Sequence, residues 1–129
     1  MITHIDHLVL TVRSIDKTCQ FYERALGFER ETMPNGRTAL RFGKCKLNLH
    51  QADHIFDPRA YAPTAGSADF CLVTDDTLEQ VAGKVHSAGF EIESGPVART
   101  GALGAMESVY IRDPDANLIE VSRYRNAAV

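Results

Sequence analysis

The chain has 129 residues, 44% hydrophobic and 24% charged, with a net charge of −3. That size suits one domain, or two small halves sharing a core, and the charge balance gives no electrostatic basis for binding nucleic acid or an anionic membrane. No apolar run approaches the ~20 residues of a membrane span, residues 1–7 lack a basic segment followed by an apolar one, and Cys19, Cys45 and Cys71 are too few and too scattered for a disulfide framework or a thiolate metal site, so a reduced, cytoplasmic protein is expected.

In chain order, residues 7–12 alternate as a strand, with Leu8, Leu10 and Val12 on one face and His7, Val9 and Thr11 on the other. Ser14 is the expected N-cap of a first helix with Ile15, Cys19, Tyr22 and Leu26 at helical spacing, and Gly27 its left-handed stop. Candidate strands follow at 28–33, 37–42 and 44–51, with a turn at Pro34-Asn35-Gly36. Residues 52–66, with Pro58, Pro63 and Gly66, read as a linker. The pattern then restarts 62 residues on: His7 aligns with Asp69, Leu10 with Leu72, and Gly27-Phe28 with Gly89-Phe90. Asp75 or Asp76 is the expected cap of a second helix whose stripe is Leu78, Val81, Ala82, Val85 and Ala88. Strands are expected at 91–93, 106–112 and 117–123, with 99–105 as a loop. Two βαβββ modules result, about 1–51 and 67–125, in a single α+β domain over 1–129.

The first and last strands of each half share a pattern. Each has one greasy face, and on the other a few polar groups among Val9, Cys71, Val73 and Leu118. Those groups are His7, then Asn48 and His50, then Asp69, then Glu120 and Ser122. Such mixed faces suit a lined cavity with a few convergent polar groups as well as a wet outer face. Arg99 beside Thr100 and Gly101 is a candidate anion binder, and Arg41 can face either way. His4, His54 and His86 read as solvated, and Phe21 and Tyr22 as core.

The stretches "DHLVLTVRSID" (6–16), "FYERALGF" (21–28) and "YIRDPDANLIEVS" (110–122) resemble the vicinal oxygen chelate superfamily of glyoxalases, bleomycin-resistance proteins and dioxygenases, and "LNLHQ", "GSADFCL" and "GPVARTGALGA" are similar to bacterial glyoxalase-domain members, some called virulence proteins. The resemblance implies curved mixed sheets enclosing a metal-site cup. By position His7, Asp69 and Glu120 are the implied ligands of one divalent metal (Mn, Ni, Fe, Co, Mg or Zn), with His50 a fourth ligand or catalytic base and Glu120 part of the catalytic centre. Asn48 falls at the place of an oxygen donor in glyoxalase I, and Arg99 and Asn48 are the implied substrate-binding residues. One histidine with two carboxylates departs from the two-histidine, one-carboxylate triad of iron oxygenases, unless His50 replaces Asp69. The implied chemistry is lyase or isomerase chemistry on a small oxygen-chelating substrate. The alternatives are thiol transfer to an antibiotic, ring cleavage by a dioxygenase and metal-free sequestration of a ligand. A homodimer is implied, with His7 from one subunit meeting Asp69 and Glu120 of the other. Ala116 stands where many relatives have glycine, an expected cost of about 1 kcal/mol if the backbone there is left-handed.

Overall fold

The computed structural model describes residues 1–125; the last four of the 129 assigned to the domain lie outside the described residues. The order is β1 (His7–Val12), α1 (Ile15–Leu26), β2 (Glu29–Thr32), β3 (Thr38–Phe42), β4 (Cys45–Gln51), then β5 (Asp69–Val73), α2 (Leu78–Ser87), β6 (Ser94–Gly101), β7 (Gly104–Arg112) and β8 (Leu118–Tyr124). The strands form two four-stranded mixed sheets of identical topology, β1-β4-β3-β2 and β5-β8-β7-β6. In each, the first and last strands are parallel neighbours and the rest are antiparallel. The α+β class and the repeated βαβββ order are therefore as read from the sequence.

Helix α1 begins and ends as its residues dictate. Ser14 is extended and accepts from the Lys17 N–H, and Gly27 closes the helix at φ 73. Its inward face buries Cys19, Phe21, Tyr22 and Ala25 against β2, β3 and β4, and its flank packs on α2. Phe28 stacks on Phe42 at 4.5 Å within the first half, and Phe21 meets Phe90 edge-on at 4.8 Å, joining the two halves in one core. The α2 cap differs from expectation. Thr77, not Asp75 or Asp76, holds the Gln80 N–H, and Gln80 returns a bond to the Thr77 N–H. That reciprocal capping box satisfies two orphan donors at once, which a lone aspartate does not.

The second correction is β6. The strand runs over Ser94–Gly101, taking in the start of the expected loop, while 91–93 form no strand. Pro96 is tolerated because β6 is the outermost strand, where a missing N–H leaves no ladder bond unmade. Gly95 sits at φ 102, and a side chain there would run into the Ser108 carbonyl on β7.

The turn Asp113–Asn117 is a buried knot. Asp113 accepts from Tyr22 Oη at 2.8 Å, from the N–H groups of Asp115 and Asn117, and from Asn117 Nδ2. Asn117 Oδ1 accepts the Ala68 N–H, and Asp115 accepts from Arg13. Helix α1, the start of β5 and the β7–β8 turn are thereby tied together, fixing where β8 begins. Burial, reinforced by the Asp113 charge, pushes the Tyr22 phenol far above its ordinary pKa, so it is a permanent donor. Ala116 does take φ 65, the left-handed conformation glycine would favour.

Candidate functional site

Strand alternation and register decide what each sheet presents on the side away from the helices. In the first sheet, Leu10, Val12, Leu47 and Leu49 are buried under the helices, while His7, Val9 and Thr11 point the other way with Asn48 and His50. Arg41 is aligned with Lys46, and Lys46 with His7, so Arg41 lies on this polar side. There it is bonded to Glu31 at 2.7 Å, which holds the Glu31 carboxyl below its ordinary pKa.

His7 Nδ1 lies 2.8 Å from Asp6 Oδ1. A proton shared on that side leaves Nε2 as the ring's free lone pair, the arrangement that suits a metal-binding imidazole. Asn48 Oδ1 is buried and has no hydrogen-bond partner among the described residues. A buried acceptor without a donor is costly, and such a group calls for an explanation. His50 is only 7% exposed and lines a cavity bordered by residues of the linker. Phe56 stands edge-on to its ring at 5.7 Å, and the Arg37 guanidinium sits 3.8 Å over Phe56. Burial, and then the Arg37 charge, depress the His50 pKa, so its imidazole is neutral at neutral pH.

In the second sheet, Phe70, Leu72, Ile119 and Val121 face the helices. Asp69, Cys71, Glu120, Ser122, Ser108 and Tyr110 share the opposite face. Ser108 Oγ donates to Glu120 Oε2 at 2.6 Å. Ser122 Oγ lies 3.2 Å from the same oxygen but 2.6 Å from Ser108 Oγ. Each hydroxyl has one proton, so the shorter contacts favour a chain from Ser122 to Ser108 to Glu120. Cys71 Sγ, 3.1 Å from Ser122 Oγ, can feed that chain. Burial, opposed by its Ser122 bond and aided by the Glu120 charge, keeps the Cys71 thiol protonated and able to donate. Tyr110 is the cross-strand partner of Glu120. Arg99 Nε donates to the Tyr110 hydroxyl at 2.8 Å, which frees the phenol proton to point elsewhere. Arg99 is thus a strand residue on the Glu120 face, not a loop residue. Sequence reasoning missed Ser108 and Tyr110; the signal available was their even spacing in "AMESVYIR", in register with Glu120.

The two faces are built alike. Asn48 pairs with Val9, two residues after His7; Glu120 pairs with Cys71, two residues after Asp69. His7 and Asn48 therefore occupy in one sheet the places of Asp69 and Glu120 in the other. Each pair shares a face, but the chain does not bring the pairs together: among the described residues no three His, Cys, Asp or Glu side chains converge as a metal site. Both faces stay open at Val9, 50% exposed, and Val73, 60% exposed. Among the described residues no helix is long and apolar enough to cross a membrane.

Comparison with known proteins supports the same architecture. Virulence protein STM3117 of Salmonella typhimurium is 52% identical over 124 residues, 96% of this chain and 86% of that protein. Its crystal structure matches with a TM-score of 0.93, covering 96% of this chain and 98% of that one. Glyoxalase domain-containing protein RDO1 of Mycosarcoma maydis is 46% identical over 95% of this chain and 69% of its own length. The lactoylglutathione lyase of Agrobacterium tumefaciens shares the fold, with a TM-score of 0.72 at 22% identity over 95% of each chain. The model of the Glyoxalase/Bleomycin resistance protein/Dioxygenase superfamily matches residues 4–121, and the chain belongs to that superfamily.

Proposed function

We propose that the protein is a divalent-metal-dependent enzyme of glyoxalase type, acting on a small substrate through two neighbouring oxygens, with lyase or isomerase chemistry. The observation that carries this reading is the orphaned, buried Asn48 Oδ1 at the place in the first sheet that Glu120 holds in the second. A buried amide oxygen with no donor, on the same face as the His7 imidazole, is a fit for a cation. One imidazole, two carboxylates and an amide oxygen make a hard donor set compatible with Mn, Ni, Fe, Co, Mg or Zn. His7, Asp69 and Glu120 would hold the ion, with Asn48 completing the set. Since a single chain does not gather them, the reading includes a twofold dimer in which one subunit gives His7 and Asn48 and the other Asp69 and Glu120.

When bound, the metal supplies Lewis-acid polarisation of the substrate oxygens. The chain's own residues do the rest. His50 would take a proton from a carbon next to a carbonyl, its ring kept in the unprotonated form that a base needs. Tyr110, its oxygen engaged by Arg99, donates to an oxygen gaining charge, and Arg99 Nη2, with Nη1 already donating to the Ala98 carbonyl, can pair with an anionic group on the substrate. Ser108 orients Glu120. Three free cysteines are in keeping with a reducing, cytoplasmic setting.

A second reading is ligand sequestration without a metal. It is favoured by the cavity beside the linker, which one chain forms alone, and an antibiotic-binding protein, TnmS3 of a Streptomyces, shares the fold with a TM-score of 0.72. Metal analysis of protein purified without chelator separates the two. The proposal predicts about one ion per chain, lost in a folded Glu120→Ala variant; unchanged metal content in that variant would remove Glu120 from the site.

A further inference from the structure

The link between the halves does more than connect them. Phe56 anchors its first part on His50 and His54, under Arg37. Its last part is held by Ser67 Oγ donating to the Thr64 carbonyl at 2.8 Å and by the Ala68 N–H on Asn117 Oδ1 at 2.9 Å. Pinned at both ends, it arches beside β1 and borders an open-mouthed cavity of about 450 Å³. Val9, Thr11 and His50 form the floor, and Pro58, Ala60 and Ala62 belong to the arch.

The lining has a definite chemistry. Prolines, alanines, a valine and a leucine give it an apolar wall, and among the described residues no carboxylate lines it. Its one fixed charge, Arg59, is engaged with Asp57 at 3.3 Å, and the Arg59 side chain is half exposed, as at a mouth. Of its uncharged polar groups, Thr64, Ser67 and Asn117 are bonded within the protein, which leaves the Thr11 hydroxyl and the His50 ring to meet a ligand. Such a space accepts an uncharged, largely apolar body, and the volume falls in the range of small-molecule sites. Its position is equally informative. Val9 lies on the same face as His7, two residues on, or about 7 Å along the strand.

We infer that this cavity receives the apolar substituent of the substrate, an aryl or branched alkyl group, while the substrate's paired oxygens lie toward His7 and Asn48. The substrate class is then small 2-oxo or 2-hydroxy carbonyl compounds carrying an apolar group, in preference to compact, wholly polar ones. The oxygen end of this assignment rests on the function proposed above; the cavity lies within one chain and needs neither metal nor partner.

That independence makes the test clean. Chelator-treated, isotopically labelled protein is titrated with phenylglyoxylate, and with pyruvate as a probe lacking the ring, while amide shifts are followed by NMR. Phenylglyoxylate should shift the Val9, Thr11, His50, Ala60 and Ala62 signals saturably, and pyruvate at equal concentration should not. Ala62→Trp, placed on the exposed arch and filling the cavity, should weaken phenylglyoxylate binding more than tenfold. Val9→Phe should do the same from the floor, and circular dichroism reports on the fold of both. Absence of shifts at those amides, equal binding of pyruvate, or unchanged affinity in both folded variants overturns the inference. Saturable shifts in protein that takes up no metal when metal is offered would uphold the cavity while removing the metal-dependent function.

Discussion

Ser108→Ala isolates what the hydroxyl chain behind Glu120 contributes. Ser108 is fully buried and gives Glu120 Oε2 its shortest contact, 2.6 Å. Both serines reach toward Oε2, so Oε1 is the oxygen left to meet a ligand. Removing the Ser108 hydroxyl takes away the donor that holds the carboxylate's orientation and leaves Ser122 the longer, 3.2 Å approach. Loss of such a supporting bond to a metal ligand weakens affinity about 10- to 100-fold, or about 1.4–2.7 kcal/mol. Ser122→Ala should cost less, because Ser108 keeps its direct bond. Competition with a calibrated chelator measures the affinities, and thermal unfolding of the metal-free proteins separates them from general destabilisation. Less than a twofold change in Ser108→Ala, in a protein whose metal binding does depend on Glu120, would refute the idea that the serine chain organises the site.

Tyr22→Phe should destabilise the fold by about 1.5–3 kcal/mol, since it removes a buried bond to a carboxylate in the knot that starts β8; urea unfolding checks this, and a loss below 0.5 kcal/mol would mean that Asp113 is satisfied without it. For His50, the folded pKa lies below the unfolded value of about 6.5. The folded state therefore binds fewer protons, and stability present above pH ~6.5 is lost as pH falls through the folded pKa. His50→Gln should flatten that part of the stability–pH curve; an unchanged slope would assign it to other groups.

The helices, the sheet faces and the repeat were legible because their signals are local. Ser14 and Gly27 punctuate α1, and alternation at β1 and β8 separates core from polar residues whatever the rest of the chain does. Misreadings arose where tertiary context overrides local chemistry. Gly95-Pro96 and Arg99-Thr100-Gly101 look like loop residues, yet an outer edge strand with β7 beside it accepts them. Asp75 and Asp76 are fair caps in isolation, but Thr77 and Gln80 together satisfy more donors. Ser108 and Tyr110 carry no motif, and their relation to Glu120 exists only through the β7–β8 register. His50 was legible as a polar-face residue, whereas the cavity it lines is bordered by a linker whose path no periodicity encodes.

The central claim, that each metal site is shared between subunits, is tested most directly by complementation. His7→Ala and Glu120→Ala chains are mixed, exchanged under mild denaturant, and the verified heterodimer is analysed for metal. With shared sites, one site inherits both lesions and the other neither, so the account predicts that one intact site, and one tightly bound ion per heterodimer, returns. A heterodimer that recovers no metal, when the wild-type protein binds it, would contradict the shared site.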